Sequence, residues 1–374
     1  MIKIELNNID RIKEGHFSGI KELIIPRAKL FLTAFKVMNA QATVGDLDRY
    51  AQLETRTKTS LLGLLVRSKN LLNTKSDYNI ISLPSRIKKH YFNNRNNYIQ
   101  LFNDLCDEKK LRALILADID NLTTESGNWT KAWYGNLTYK LIDKVIDYDK
   151  FNKKKTTPYN AYSLAEALLV NVCPYCNRIY TNTIVTENGK KIVKPTFDHF
   201  FLQAKNSFLS LSFYNLIPSC NNCNSYLKGK LEFTLVSHLH PYKEDFGKNA
   251  VFDFFFKNLL PDKGHPDNYQ ILLNVDESFL GNAKISRNIQ DFKLREIYQS
   301  HADIVGEIAV KTDKASPYYA MALFKSLPSL PTSVKREFYR YYFGNYFDEK
   351  DFNKRPLAKL TKDIVGKYLP DLTL

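Results

Sequence analysis

The sequence predicts an α+β protein that is predominantly helical, with a small cysteine-bearing β module between helical N- and C-terminal regions. Three observations carry this. Apolar residues recur at helical spacing from about residue 20 to 155. The texture then changes over about 160–245, where two CxxC pairs and an Asn-Gly turn appear. Helical patterning returns beyond 245. The expected division is therefore 1–155, a helical region suited to binding a partner or nucleic acid; 156–245, the β module; and 246–374, a second helical region.

In the first region Leu61, Leu62, Leu65 and Leu72 recur at near-helical spacing among Arg56, Lys58, Arg67 and Lys69. LRALILADI (111–119) and YKLIDKVIDY (139–148) repeat the pattern, separated by polar pieces such as FNNRNNY (92–98). The basic stretch FNKKKTTP (151–158) reads as a linker, because Pro158 cannot continue a helix. A short helix around Leu164 and Leu168 leads into CPYC. Next comes a hairpin, RIYTNTIV–TENGK–KIVKPTF, turning at Asn188-Gly189, the dipeptide that most readily adopts φ > 0 at both turn positions. Beyond 245 lie an aromatic cluster, VFDFFF (251–256), and then helical pattern. SVKREFYRYYF (333–343) puts Val334, Phe338 and Tyr341 on one face, with Arg336 and Arg340 elsewhere, a helix expected to pack on its own domain.

Composition narrows the class. At 44% hydrophobic and 13% aromatic, the 374 residues can bury real cores and are not a disordered chain. Lys+Arg number 54 against Asp+Glu 39, a net charge of +15. That excess suits a polyanionic partner, since each neutralised phosphate releases condensed counterions. The opening MIKIELNNID is charged where a signal peptide is apolar. Runs such as LLGLLV (61–66) fall far short of the roughly 20 residues of a spanning helix. The expectation is a cytoplasmic protein with no membrane association, where paired thiols are ligands before they are disulfides.

Four of the five cysteines form two pairs, Cys173/Cys176 and Cys220/Cys223. Two CxxC pairs point to one tetrahedral Zn²⁺ held by four thiolates, a closed and therefore structural site. A thioredoxin-like reading of CPYC is the rival, but it leaves the second pair unexplained. Between the pairs stands Asp198-His199, then Asn215 sixteen residues after the histidine, then Cys223-Asn224 opening a helix. Phosphodiester cleavage needs an activated water, a divalent cation at the scissile phosphate, and rigid geometry between them. His199 suits a general base, because an imidazole titrates near working pH. Asp198 offers a hard oxygen ligand for Mg²⁺ or Mn²⁺, and Asn224 a second oxygen. Lys228 lies one turn beyond Asn224, where it contacts a phosphate or is simply a solvated helix lysine. Asn215 suits a loop brace. Consecutive strand residues point to opposite faces, so Asp198 and His199 can serve one phosphate only where the strand ends or twists.

This segment resembles the HNH, or ββα-metal, endonucleases, specifically those with a zinc-binding pair of CxxC knuckles. The resemblance implies a ββα-metal module, with Asp198 and Asn224 as metal ligands, His199 as general base and Asn215 as the middle asparagine. Asn224 stands where many members carry the final histidine. A narrower likeness rests on CPYCNR (173–178), DHFFLQ (198–203), LSFYNLIPSC (211–220), CNSYLKG (223–229) and HPY (240–242). Leu202 and Gln203 stand where that pattern carries Pro and Lys, whereas Lys205 is retained. The nuclease subunits of Septu-type antiphage systems, which act beside an ATPase, also resemble it. That implies a defence effector hydrolysing nucleic acid, with DNA the expected substrate, and an ATPase or sensor protein as partner. The likeness spans roughly residues 165–245. The alternative is a zinc-stabilised nucleic-acid-binding module that does not cleave, supported by Leu202 and Gln203. His238 and His240 are expected to close the domain by packing, and Cys106 to be an ordinary buried side chain. His16, His90, His265 and His301 have no ligand-like neighbours.

Overall fold

Helix and strand are distributed in the computed structural model much as the apolar spacing suggests: the protein is mostly helical, with small two-stranded sheets. The structure describes residues 1–38, 41, 43–45, 93–132, 142–153, 158–259, 264–314, 331–370 and 372. The helix expected around Leu61–Leu72 with its basic residues, His90, and parts of the 92–98, 139–148 and 151–158 stretches lie outside the described residues. Among the described residues no helix is long and apolar enough to cross a membrane.

The chain forms two compact units. One comprises residues 8–164 and 203–216, the other residues 1–7, 165–202 and 217–374. Residues 246–374 share a core with the cysteine segment, and the reason is aromatic packing. Tyr175 stacks on Phe292 with ring centroids 4.4 Å apart, and Phe252 packs against Tyr298 at 4.2 Å. Tyr298 also donates a 2.6 Å hydrogen bond to the Cys176 carbonyl.

The first unit is helical. Its α1 (Ile9–Met38) and α2 (Arg95–Cys106) join through stacked rings, Phe35 on Tyr98 at 4.8 Å and Phe31 on Phe102 at 5.5 Å. α2 starts inside the polar Asn-rich piece, because Tyr98, Leu101, Phe102 and Leu105 supply a buried stripe. Cys106 ends that helix and is half-buried. Asp107 then caps α3 (Glu108–Ile115), accepting from the amides of Lys109 and Lys110. His16 is fully buried, with Nε2 donating to the Leu211 carbonyl at 2.8 Å and Nδ1 3.1 Å from the Tyr159 hydroxyl. Burial lowers its pKa to about 4.

In the second unit, β1 (Ile184–Val185) and β2 (Lys191–Val193) form the expected antiparallel hairpin. Gly189 takes the positive φ, +72°, whereas Asn188 does not, so only one of the two turn positions has the left-handed conformation expected of both. β3 (Thr196–His199) pairs with β4 (Leu216–Ser219). The VFDFFF cluster is a strand. β5 (Ala250–Phe256) pairs antiparallel with β6 (Tyr269–Val275), setting Phe252 opposite Leu273 and Phe254 opposite Ile271. Alternate residues Ala250, Phe252 and Phe254 are buried, whereas Val251 and Phe255 are exposed. The helix over Thr332–Phe343 is present with a different inner face. Tyr339 and Phe343 are buried, while Val334 and Tyr341 face solvent.

Candidate metal centre and active site

The first cysteine pair sits on a tight turn whose geometry follows from its sequence. Val172 and Tyr180 form an isolated antiparallel bridge, and the Cys173 amide donates to the Ile179 carbonyl at 3.0 Å. The chain reverses at Asn177, which takes a left-handed φ of +47°, a conformation asparagine tolerates better than most residues. Asn177 also donates to the Phe352 carbonyl and accepts from the Lys359 amide, fixing the turn against the last helix, Ala358–Tyr368. The second pair follows the end of β4 directly. The Cys223 amide points at Cys220 Sγ, 3.4 Å away, and the chain continues as a π-helix, Asn222–Lys228. Its wide turn is closed by the Gly229 amide bonding to the Asn224 carbonyl five residues back, with Gly229 at φ +49°.

All four cysteines are buried, and their sulfurs lie within 4.8 Å of one another, with Cys176 Sγ 4.0 Å from Cys220 Sγ. A tetrahedron with Zn–S bonds of ~2.3 Å has sulfurs ~3.8 Å apart, close to the 4.0 Å between Cys176 and Cys220 and within about 1 Å of the widest spacing in the cluster. Hydrogen bonds from Cys173, Cys176 and Cys223 hold the Cys220 thiol far below its usual range. Burial pushes the Cys173 thiol well up. Cysteine spacing and geometry agree: this is a four-cysteine site compatible with structural zinc.

Asp198 and His199 end β3. They are its last two residues, Asp198 3% exposed and His199 half-buried. Two donors engage the Asp198 carboxylate. Lys228 Nζ lies 2.8 Å from Oδ1, and the Tyr175 hydroxyl donates to Oδ2 at 2.6 Å. The same ammonium donates to the His199 carbonyl at 2.6 Å. Lys228 is therefore turned inward, 2% exposed and set over the Phe233 ring, rather than outward where a solvated lysine would lie. The reason is the carboxylate: a buried anion without a partner is costly, and the lysine stem reaches it along an apolar wall. Asn224 is half-buried on the same π-helix, four residues before Lys228.

A carboxylate has roughly four acceptor positions, of which these two donors take one on each oxygen. Acceptor positions therefore remain on the Asp198 carboxylate, but any cation reaching it would meet the Lys228 charge already in place. Asn215 belongs to the helical unit, where it is fully buried and donates from Nδ2 to the Leu209 carbonyl at 3.0 Å. His238 stacks on Phe233 at 3.6 Å, with Nε2 2.8 Å from Asp291 Oδ2, and burial lowers its pKa. His240 is fully buried against Phe200. Among the described residues only the four cysteines form a cluster of metal-ligand type. Sequence reasoning missed Tyr175. The CPYC pattern assigns it no role, and nothing local marks a tyrosine whose hydroxyl bonds a carboxylate 23 residues away.

No family model matches this chain, and neither the curated proteins nor the solved structures yielded a similar one.

Proposed function

We propose that the chain is a metal-dependent endonuclease of the HNH type, hydrolysing phosphodiester bonds in nucleic acid, with DNA the expected substrate. The observation that carries this reading is the attachment of Asp198-His199 to the knuckle helix. A buried ion pair from Lys228 joins the strand end to the segment bearing Asn224. Alongside it stand the DHFF, CNSYLKG and paired CxxC blocks that resemble the family. In this reading His199 takes the proton from the attacking water, and the tetrathiolate zinc keeps strand and helix in register. Asp198 and Asn224 would hold Mg²⁺ or Mn²⁺, which when bound neutralises charge developing on the phosphate. The +15 net charge supplies the long-range attraction to a polyanion. By the same resemblance the chain acts in antiphage defence beside an ATPase or sensor protein.

One observation favours a second reading, a zinc-stabilised nucleic-acid-binding module without cleavage. Lys228 already neutralises Asp198, which weakens that carboxylate as a ligand for a divalent ion. Plasmid nicking separates the two. Wild-type protein with Mg²⁺ or Mn²⁺ should convert supercoiled DNA to nicked or linear forms, and excess EDTA should stop it. His199→Ala should retain zinc and lose about 10²–10⁴-fold in rate. Cleavage at the wild-type rate by that variant would remove the nuclease reading. DNA binding by a wild type that does not cut with either ion would favour the second.

A further inference from the structure

Tyr175 lies between the two cysteines of the first knuckle, yet its hydroxyl reaches out of the knuckle to Asp198. Its ring is locked against Phe292, and it is fully buried. Lys228 reaches the same carboxylate from the helix that follows the second knuckle and also binds the His199 carbonyl. One donor thus comes from each cysteine pair, and they grip opposite oxygens of one side chain. Each knuckle is itself held by the four-sulfur cluster.

We infer that Tyr175 and Lys228 are positioning residues that clamp Asp198 from both sides, so that order in the four-thiolate site is relayed through this carboxylate to the strand end carrying His199. The zinc site then does more than stabilise the fold: it sets the placement of the residue beside the carboxylate. The three side chains are all nearly inaccessible, so water cannot replace either donor. Losing one leaves the carboxylate free to rotate and the strand end free to follow. This inference rests on the reading of His199 as the base of a cleaving site, although the clamp itself is testable without cleavage.

Tyr175→Phe removes one hydroxyl and keeps the ring packed on Phe292, so it is the first variant to make. Lys228→Arg is the second, because it preserves a cation that can reach the carboxylate if Lys228→Met fails to fold. Hydrogen exchange of the full zinc-loaded chain, read on peptides over 196–203, should show loss of protection in Tyr175→Phe. Peptides over 173–177 and 220–224 should keep theirs, and zinc content should stay at the wild-type level. Unchanged exchange over 196–203 overturns the clamp. So does a change confined to zinc loss and knuckle unfolding, since Tyr175 would then act only in the knuckle. In a wild type that cuts DNA, Tyr175→Phe should lower the single-turnover rate by about 10- to 100-fold at unchanged DNA affinity, the effect of a displaced catalytic group. Lys228→Arg should recover part of the rate lost in Lys228→Met. A wild-type rate in Tyr175→Phe overturns the relay. If the wild type does not cut, the nuclease reading fails, and the exchange experiment alone decides the clamp.

Discussion

Lys228 Nζ and Asp198 Oδ1 lie 2.8 Å apart with both side chains at 3% exposure or less, an ion pair sealed inside the cysteine-bearing unit. Such pairs contribute less than their separation suggests, because desolvating two charges offsets much of their attraction. Breaking one half is another matter. Lys228→Met leaves a carboxylate with no cation in an apolar setting and should destabilise by about 3–5 kcal/mol in urea unfolding. Asp198→Asn combined with Lys228→Met should recover more than half of that loss, since neither charge is left unpaired. A single variant costing under about 1 kcal/mol would mean the pair is not buried as described.

Zinc should be stoichiometric and needed for folding. Elemental analysis of purified protein is expected to give one zinc per chain. Cys220→Ser should lose the metal and much of the folded population, because free energy of thiolate binding is folding free energy at a closed site. Cys106→Ser should keep both, since Cys106 lies at the end of α2 in the other unit. Full zinc content in Cys220→Ser would contradict the four-thiolate assignment.

His16 makes the helical unit acid-sensitive. Its folded pKa of about 4 lies below the ordinary 6.5, with burial the cause. The unfolded chain therefore takes up a proton first as pH falls, and stability rises with pH across that window. The contribution is complete above about pH 6.5 and is lost as pH drops toward 4, amounting to about 3 kcal/mol at ~1.4 kcal/mol per tenfold. Urea unfolding of wild type and His16→Gln at several pH values isolates it from the carboxylates. The stability difference between the two proteins should shrink by about that amount between pH 7 and pH 4. Parallel profiles would show that His16 stays neutral, or is charged, in both states.

The parts of this molecule legible in the sequence are those fixed by local chemistry. Two CxxC pairs predict clustered sulfurs because metal coordination dictates the spacing, and Asn188-Gly189 predicts a turn because glycine readily accepts the positive φ that Gly189 adopts. The strand β5 was hidden because its outer positions, Val251 and Phe255, are as apolar as its inner ones, which erases the two-residue alternation. Lys228 was placed on the correct helix with its direction open. Whether a lysine points to solvent or to a buried carboxylate depends on a partner thirty residues away. The same holds for Tyr175. The joining of residues 165–202 with 217–374 also rests on contacts such as Tyr298 with Cys176, which no local pattern encodes.

The helix Thr332–Phe343 offers the sharpest check on side-chain direction, because aromatic residues occupy both of its faces. Tyr339 is fully buried between Phe343 and Phe347, with ring centroids 5.0 and 5.2 Å away, whereas Tyr341 is 79% exposed. Tyr339→Ala should therefore cost about 3–5 kcal/mol, the range for deleting a buried aromatic ring. Tyr341→Ala should stay within about 0.5 kcal/mol of wild type. A third variant separates ring from hydroxyl. Tyr339 Oη is buried without a hydrogen-bond partner among the described residues. A buried hydroxyl left unpaired costs about 1–3 kcal/mol, so Tyr339→Phe should be neutral or stabilising by about 1 kcal/mol. Thermal and urea unfolding of the three variants give the ranking, and it fails if Tyr341→Ala proves the most damaging.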